Sequence, residues 1–466
     1  MFTCRGRPKL SSSTADGSPP RAGGLFSSIF TTDELADLTS DQAWIRAMLE
    51  AEAALARAEA VVGVIPADAA TQIAAFAADG QLDPVALGRV ARASGNPVIP
   101  LVEEIRAALG EEAGQWAHWG ATSQDILDTA AVLVTRSCTT VIRRDLGSLA
   151  DSCAKLARRH RNTLMIGRSL LQPALPTTFG LKAAGWLSGA DAARRQLADA
   201  VQDLPLQLGG AVGTLASLGE DGPAVLTAMA QTLQLAEPAL PWHTQRQRIA
   251  EVAGALTVAA GTAAKITYDI ALLMQSEVAE ASEPGKPKRG GSSTLPQKRN
   301  PVSAATVGGA ARRATALAAV IHGVLVQEHE RGVGNWHAEW STLTELLQLS
   351  GGAVAGAAEC IFGVEVHEHT MTEHLADAGS SLLAERFTLE LTRRAGRATA
   401  VSVVTQALAS TTTDGVDFLD ALVGAGAIKW ISHDELKELS DPSTYLGSSN
   451  IFIDRALAAH EQCLGL

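Results

Sequence analysis

The stretch RGGSSTLPQKRNP, Arg289 to Pro301, interrupts a chain otherwise rich in Ala, Leu and Val. Its paired glycines, Gly290 and Gly291, open backbone conformations closed to other residues. Asn300 followed by Pro301 reads as an N-cap and first-turn pair for a helix beyond it. Lys286, Lys288, Arg289, Lys298 and Arg299 add positive charge. A loop that ends on a helix N-terminus among cations is suited to hold an anion. The same composition also serves a solvated basic loop that only caps its helix. A second stretch, HWGATSQDILDTA, His118 to Ala130, repeats the construction. Thr122 and Asp125 have the capping-box spacing, so another helix turns its free N–H groups outward, with His118 just before it. Thr122 and Ser123 read either as carboxylate ligands or as plain caps. His118 reads either as a site residue or as a ring packed between Trp116 and Trp119.

Long helices are what the sequence offers to position these loops. SDQAWIRAMLEAEAALARAEA predicts a helix capped by Ser40, with Ile45, Met48, Leu49 and Leu55 at helical spacing. A single long helix is expected from Gln124 to His160. GRSLLQPALPTTFG, Gly167 to Gly180, reads as a break before a helix from Leu181. Further long runs are expected from Arg248 to Glu280, from Val302 to about His329, and around Leu343 to Ile361. Ala and Gly on their faces would let such helices approach closely. Strand signals are few, so the fold class is all-α with a central long-helix bundle. The expected domains are a disordered tail at 1–28, an N-terminal helical domain at 29–125, the bundle at 126–370 and a small C-terminal helical domain at 371–466.

Composition narrows the function classes. A chain of 466 residues exceeds what one core usually serves. Aromatic content is only 4%, so packing must rest on aliphatic and small side chains. A net charge of -12 argues against nucleic acid as a partner. No uninterrupted apolar stretch predicts a membrane span, and Met1 to Gly24 has no apolar segment of the secretory kind. Cys4, Cys138, Cys153, Cys360 and Cys463 are scattered without a CxxC pair, which suits a reducing cytoplasm. No Cys, His and carboxylate cluster has metal-ligand spacing, so neither metal nor cofactor is expected.

GSSTLPQKRNP, Gly291 to Pro301, resembles the GSSxMPxKxNP signature of the fumarase/aspartase superfamily, departing from it at Leu295. HWGATSQDILDTA is similar to that family's first signature region and GRSLLQPALPTTFG to its second. The resemblance runs from about Ile29 to the end. It implies a three-domain all-α fold and a homotetramer whose active sites are shared between subunits. It also implies chemistry on a small polycarboxylate: a group is added or removed β to a carboxylate while a proton moves at the α carbon. The aci-carboxylate intermediate needs preorganised cations and N–H donors and an acid/base near the α carbon. By the same resemblance Ser292 is that acid/base, and Lys298 and Asn300 hold a substrate carboxylate. Thr122 and Ser123 hold another. His118 matches a histidine that contacts substrate, as carboxylate ligand or as proton carrier. Gln172 and Arg331 either line the pocket or serve the structure, with Trp336 and His337 weaker candidates. His243 is expected to be structural and Glu339 to partner a cation.

Two departures select within the family. Many of its lyases read GRTHxQ in the second region, with a proton-shuttling His oriented by a Glu seven residues after the motif Lys. Here Leu170 and Ala305 stand at those positions, and hydrocarbon transfers no proton. Their loss, with GNPVIPLV, KRNPVSAA, QEHERGVGNWHAEW and DPSTYLG, resembles the bacterial 3-carboxy-cis,cis-muconate cycloisomerase branch. That resemblance implies lactonisation of a small tricarboxylate to 4-carboxymuconolactone in aromatic-acid catabolism. There a substrate carboxylate, already ionised, is the nucleophile and only one proton moves. An elimination enzyme like adenylosuccinate lyase and a noncatalytic structural homologue are the alternatives.

Overall fold

The computed structural model describes residues 24–285, 290–291, 294–295 and 297–463, and most of them are helical. The chain opens with α1 (Ser27–Phe30), α2 (Asp33–Leu38), α3 (Asp41–Val62), α4 (Ala67–Asp79), α5 (Pro84–Ser94) and α6 (Val98–Gly114). The long α7 (Ser123–Arg159) leads to strands β1 (Leu164–Ser169) and β2 (Gln172–Thr178), then α8 (Phe179–Val201), α9 (Gly222–Leu233) and α10 (Gln247–Leu273). The two-residue strand β3 (Ala281–Ser282) precedes α11 (Val302–Gly323), α12 (Asn335–Phe362) and β4 (Glu365–Val366). The chain closes with α13 (Glu368–Ala378), α14 (Ala384–Ala395), α15 (Arg397–Asp414), α16 (Phe418–Gly424), α17 (His433–Leu439) and α18 (Ser449–Cys463).

Local chemistry sets these boundaries. Ser40 Oγ accepts from Ala43 N and starts α3, which ends at Gly63 in the left-handed region. Asp83 caps α5 through Val85 N, with Pro84 in the first turn. Two helices stop earlier than their composition suggests. Beyond Leu273 the chain folds back, with Ala279 at a φ of 46° and Glu280 N donating to Leu273 O, so α10 ends seven residues short of Glu280. α11 likewise ends at Gly323 rather than near His329. α10 has the length and hydropathy of a membrane span, but 61% of its apolar window is buried inside the protein.

The expected break at Gly167 to Gly180 is instead an antiparallel hairpin, with Leu164 opposite Thr178 and Ser169 opposite Gln172. Leu170 and Leu171 form its two-residue turn, with φ of 52° and 64°. Two left-handed central residues are the pattern of a tight hairpin turn, which normally takes Asn-Gly. Leucine there costs roughly 1–2 kcal/mol per residue. Both side chains face solvent, Leu170 at 96% exposure and Leu171 at 70%.

The described residues divide between two compact units, the first drawn from 24–142, 199–257 and 309–353, the second from 143–198, 258–308 and 354–463. In the first, α3 packs on α4 and α9. Gly351 and Gly352 of α12 let the segment around Phe30 and Leu35 lie against the helix, since a Cβ at either would collide with it. Its interior carries a charge cluster. Arg246, 2% exposed, binds Asp128 at 2.8 and 3.0 Å and Glu339 at 3.0 Å. Trp336 Nε1 donates to Asp128 at 2.9 Å. Burial alone would lower the Arg246 pKa, but Asp128 and Glu339 hold the guanidinium firmly protonated. Glu339 is therefore the cation partner its sequence context suggested.

In the second unit, Arg168 of β1 makes two bonds to the fully buried Glu280, at 2.7 and 2.6 Å, and His374 adds a third at 2.8 Å. Burial pushes the Glu280 carboxyl up, and these cations outweigh it and hold it below its ordinary range. The hairpin is thus tied by ions close to its turn, since Arg168 pairs with Pro173 beside Leu170 and Leu171. Phe387, Leu391, Phe418, Leu422 and Leu436 form a separate apolar cluster toward the C-terminus.

Breaking the Arg246 cluster should be costly, because it strands two carboxylates in the interior. Arg246→Met is expected to destabilise the protein by about 3–5 kcal/mol. Denaturant unfolding of the variant measures it, and a loss below about 1 kcal/mol, the scale of a surface pair, would show the cluster to be dispensable.

Candidate active site

The first group of candidate residues lies in the first unit, where the link between α6 and α7 meets the loop after α8. Asp125, fully buried in the first turn of α7, organises it. Its carboxylate accepts from Thr122 N at 2.9 Å, from Gly209 N at 3.0 Å and from Gly210 N at 2.9 Å. His243 Nε2 lies 2.6 Å from the same group, so His243 is structural, as expected. Only half of a capping box forms. The Thr122 hydroxyl is not spent on its own helix and instead accepts from Arg331 Nη1 at 2.9 Å. Arg331 Nη2 donates to Ala211 O at 3.0 Å. Its Nε is buried without a hydrogen-bond partner among the described residues.

His118 enters this group from the preceding turn with a φ of 62°, a left-handed conformation seldom taken by residues with a Cβ. Its Nδ1 lies 2.6 Å from Glu52 Oε1 on α3. Trp116 and Trp119 pack on each other, with ring centroids 5.0 Å apart. Gly120 has a φ of 72°, and a Cβ there would lie 2.5 Å from Leu218, so this turn requires glycine. Thr122 and Ser123 remain partly exposed at the start of α7.

The second group lies in the second unit. Asn300 N donates to Gly290 O at 2.9 Å and Gly291 bridges to Arg299, so the signature segment is pinched at its base. Gly290 has a φ of 70°, and a Cβ on it would lie 2.8 Å from Asn300 O, which accounts for the first glycine. Lys298 is exposed, Asn300 is partly exposed, and Arg299 lies 3.9 Å from Glu365. Gln172 is exposed beside the hairpin turn. Ser292 lies outside the described residues, as do Lys286, Lys288 and Arg289.

The helix N-terminus in this segment needs a correction. The sequence marks the start of α11 as an anion site, and an anion is there, but it belongs to the protein. Glu283 accepts from Ser303 N at 2.9 Å and from Ala304 N at 3.0 Å. Its carboxylate takes the N–H groups that a bound anion would use. Lys298, by contrast, is exposed beside this helix start.

Sequence reasoning also missed Glu52 and Glu59. They sit seven residues apart on α3, in the same stripe as Ile45, Met48 and Leu55, and are 1% and 0% exposed. Carboxylates inside an apolar stripe were the available signal. Neither Glu59 oxygen has a hydrogen-bond partner among the described residues. Burial first, and the neighbouring Glu52 second, push its carboxyl up from 4.5 to about 9.

Comparison with known proteins places the chain in a family. A family described as Lyase matches residues 28–316, and one described as Adenylosuccinate lyase C-terminus matches 381–456. A 3-carboxy-cis,cis-muconate cycloisomerase of Bradyrhizobium diazoefficiens is 42% identical, covering 91% of this chain and 95% of its own. A nitrosuccinate lyase of Streptomyces davaonensis is 40% identical, covering 95% of this chain and 96% of its own. The crystal structure of the 3-carboxy-cis,cis-muconate lactonizing enzyme from Pseudomonas putida superimposes with a TM-score of 0.88 at 38% identity, over 94% of this chain and 99% of that one.

The buried Glu59 gives stability a pH dependence of definite sign. Its folded pKa is raised, so between 4.5 and about 9 the folded chain keeps a proton that the unfolded chain releases. That contribution is fully present below pH 4.5 and is lost as pH rises through this window, by about 1.4 kcal/mol per unit. Glu59→Gln should therefore lose less thermal stability than the parent between pH 5 and pH 8. Parallel melting curves for the two proteins would show that Glu59 is not protonated in the folded state.

Proposed function

The chain belongs to the lyase family, among its 3-carboxy-cis,cis-muconate cycloisomerases, and from that premise we propose that it closes 3-carboxy-cis,cis-muconate to 4-carboxymuconolactone. The near full-length identity to cycloisomerases carries this reading. The hydrocarbon Leu170 at the tip of an exposed hairpin fits it. In the proposed reaction a carboxylate oxygen of the substrate forms the new C–O bond. The alkene electrons move to the α carbon and into its carboxylate, and one proton then arrives at that carbon. The nucleophile is ionised at neutral pH, so no second acid/base is needed.

Ser292 is the proposed proton donor. Lys298 and Asn300 stabilise the charge that develops on the α-carboxylate. Arg331, Thr122 and Ser123 bind a second carboxylate, and the guanidinium Nε left free inside the protein supports Arg331 as an anion ligand. Gln172 lines the pocket. The enzyme acts as a homotetramer with shared sites. The solvent-exposed Leu170 and Leu171 support that reading, because a neighbouring subunit would cover them. The thiols of Cys138, Cys153 and Cys463, free among the described residues, suit the cytoplasm.

The relative named nitrosuccinate lyase raises elimination as the competing activity. Purified protein assayed with 3-carboxy-cis,cis-muconate, nitrosuccinate and adenylosuccinate decides between them. Lactone formation is expected to be the fastest by far, and faster turnover of either other substrate would overturn the assignment.

Variants test the assigned roles. Ser292→Ala is expected to keep its melting temperature and lose nearly all turnover. Lys298→Ala should lose about a hundredfold in kcat/KM, the scale of one preorganised charge contact. Lys286→Ala, in the same loop, should change it by less than about fivefold. Mixing Lys298→Ala with Arg331→Ala subunits should recover activity neither variant has alone. No recovery in verified mixed tetramers would argue against shared sites.

A further inference from the structure

Glu52 and His118 form a carboxylate–imidazole pair in the first unit that no step of the proposed reaction yet uses. Glu52 is 1% exposed, and its Oε1 meets Nδ1 of His118 at 2.6 Å. Nδ1 is therefore committed to the protein. Nε2 has no hydrogen-bond partner among the described residues, and the ring keeps 14% of its surface open. Three charged groups act on it. Glu52 comes from α3, Arg106 comes from α6 and donates to Ala117 O at 3.0 Å, and Asp125 comes from α7, while Glu59 of α3 acts on Glu52.

Two carboxylates buried on one helix stripe do not both ionise, and Glu59 is the one kept neutral. Glu52 is the one with a cation partner. Burial alone would make the His118 ring easier to deprotonate. The Glu52 carboxylate, by its charge and its hydrogen bond, and then Asp125 outweigh both burial and Arg106, and the ring ends above its ordinary 6.5.

We propose that Glu52 is a positioning residue that holds His118 doubly protonated, with Nε2–H turned to a substrate carboxylate, so that His118 binds an anion and carries no proton in the reaction. The chain keeps this carboxylate–imidazole pair while Leu170 and Ala305 stand in the sequence where the family's usual His–Glu pair would be. This rests on the reading of the site as one for a tricarboxylate.

The test has two independent readouts. In the ligand-free parent, titration of 13C-labelled histidine by NMR, assigned with His118→Gln, should place the His118 ring above 6.5. Glu52→Gln should bring it below that value. At neutral pH the competent protonated fraction then falls, and KM for 3-carboxy-cis,cis-muconate should rise in proportion to it, with kcat within about threefold. The pH at which KM begins to climb should move down with the ring. Glu52→Asp, which keeps the charge, should stay closer to the parent than the isosteric Glu52→Gln. A merely structural role would order the two variants the other way. A parent ring titrating below 6.5 overturns the proposal even if neither variant folds. So does a KM indifferent to the ring's protonation. If the parent turns over no tricarboxylate at all, the assignment of the reaction fails, while the titration still judges the pair.

Discussion

The local geometry of the first unit depends on one carboxylate, Asp125. Its oxygens hold Thr122 N at the start of α7 and the N–H groups of Gly209 and Gly210. Those same two places supply the anchors of Arg331, the Thr122 hydroxyl and Ala211 O. A buried anion with every lone pair engaged thus fixes where a mobile cationic side chain can stand. Asp128, one turn further along α7, does the same for Arg246 and Trp336. α7 is therefore more than an apolar rod, because its first turn and a half carries the charges that set the surrounding loops in register.

A chain of net charge -12 has to concentrate positive potential to receive a polyanion. It does so by spending its carboxylates inside. Asp125, Asp128, Glu280, Glu283 and Glu339 are each buried against N–H groups or cations, where their field is cancelled locally. Near the signature loop the exposed Lys298 and Arg299 outnumber the one exposed carboxylate beside them, Glu365. Glu283 satisfies the start of α11 with an internal charge.

Much of the helical frame was legible in the sequence. Ser40, the long run from Gln124, and the helix around Leu343 to Ile361 all formed, because capping chemistry and helical periodicity are local properties. The β1–β2 hairpin was not legible, since its turn is Leu-Leu and carries none of the Gly or Asn that such turns advertise. Thr122 and Arg331 were each candidates from the sequence, but their contact spans 209 residues and no spacing rule reaches that far. Glu283 was invisible for the same reason. Glu52 and Glu59 were not hidden. They interrupt an apolar stripe at heptad spacing, and their apolar neighbours drew attention away from them.

The leucine turn bears on how this scaffold could change its chemistry. In the lyases that it resembles, position 170 would be histidine and position 305 glutamate. Histidine tolerates a left-handed backbone better than leucine does, so the turn itself would not resist the exchange. Yet Leu170→His alone gives an unoriented imidazole, and Ala305→Glu alone gives a carboxylate with nothing to orient. Neither single change is rewarded without the other, which is epistasis in its simplest form. A library that samples these positions one at a time would find only neutral or damaged proteins, and the route back to proton-shuttling elimination opens only when both are varied together.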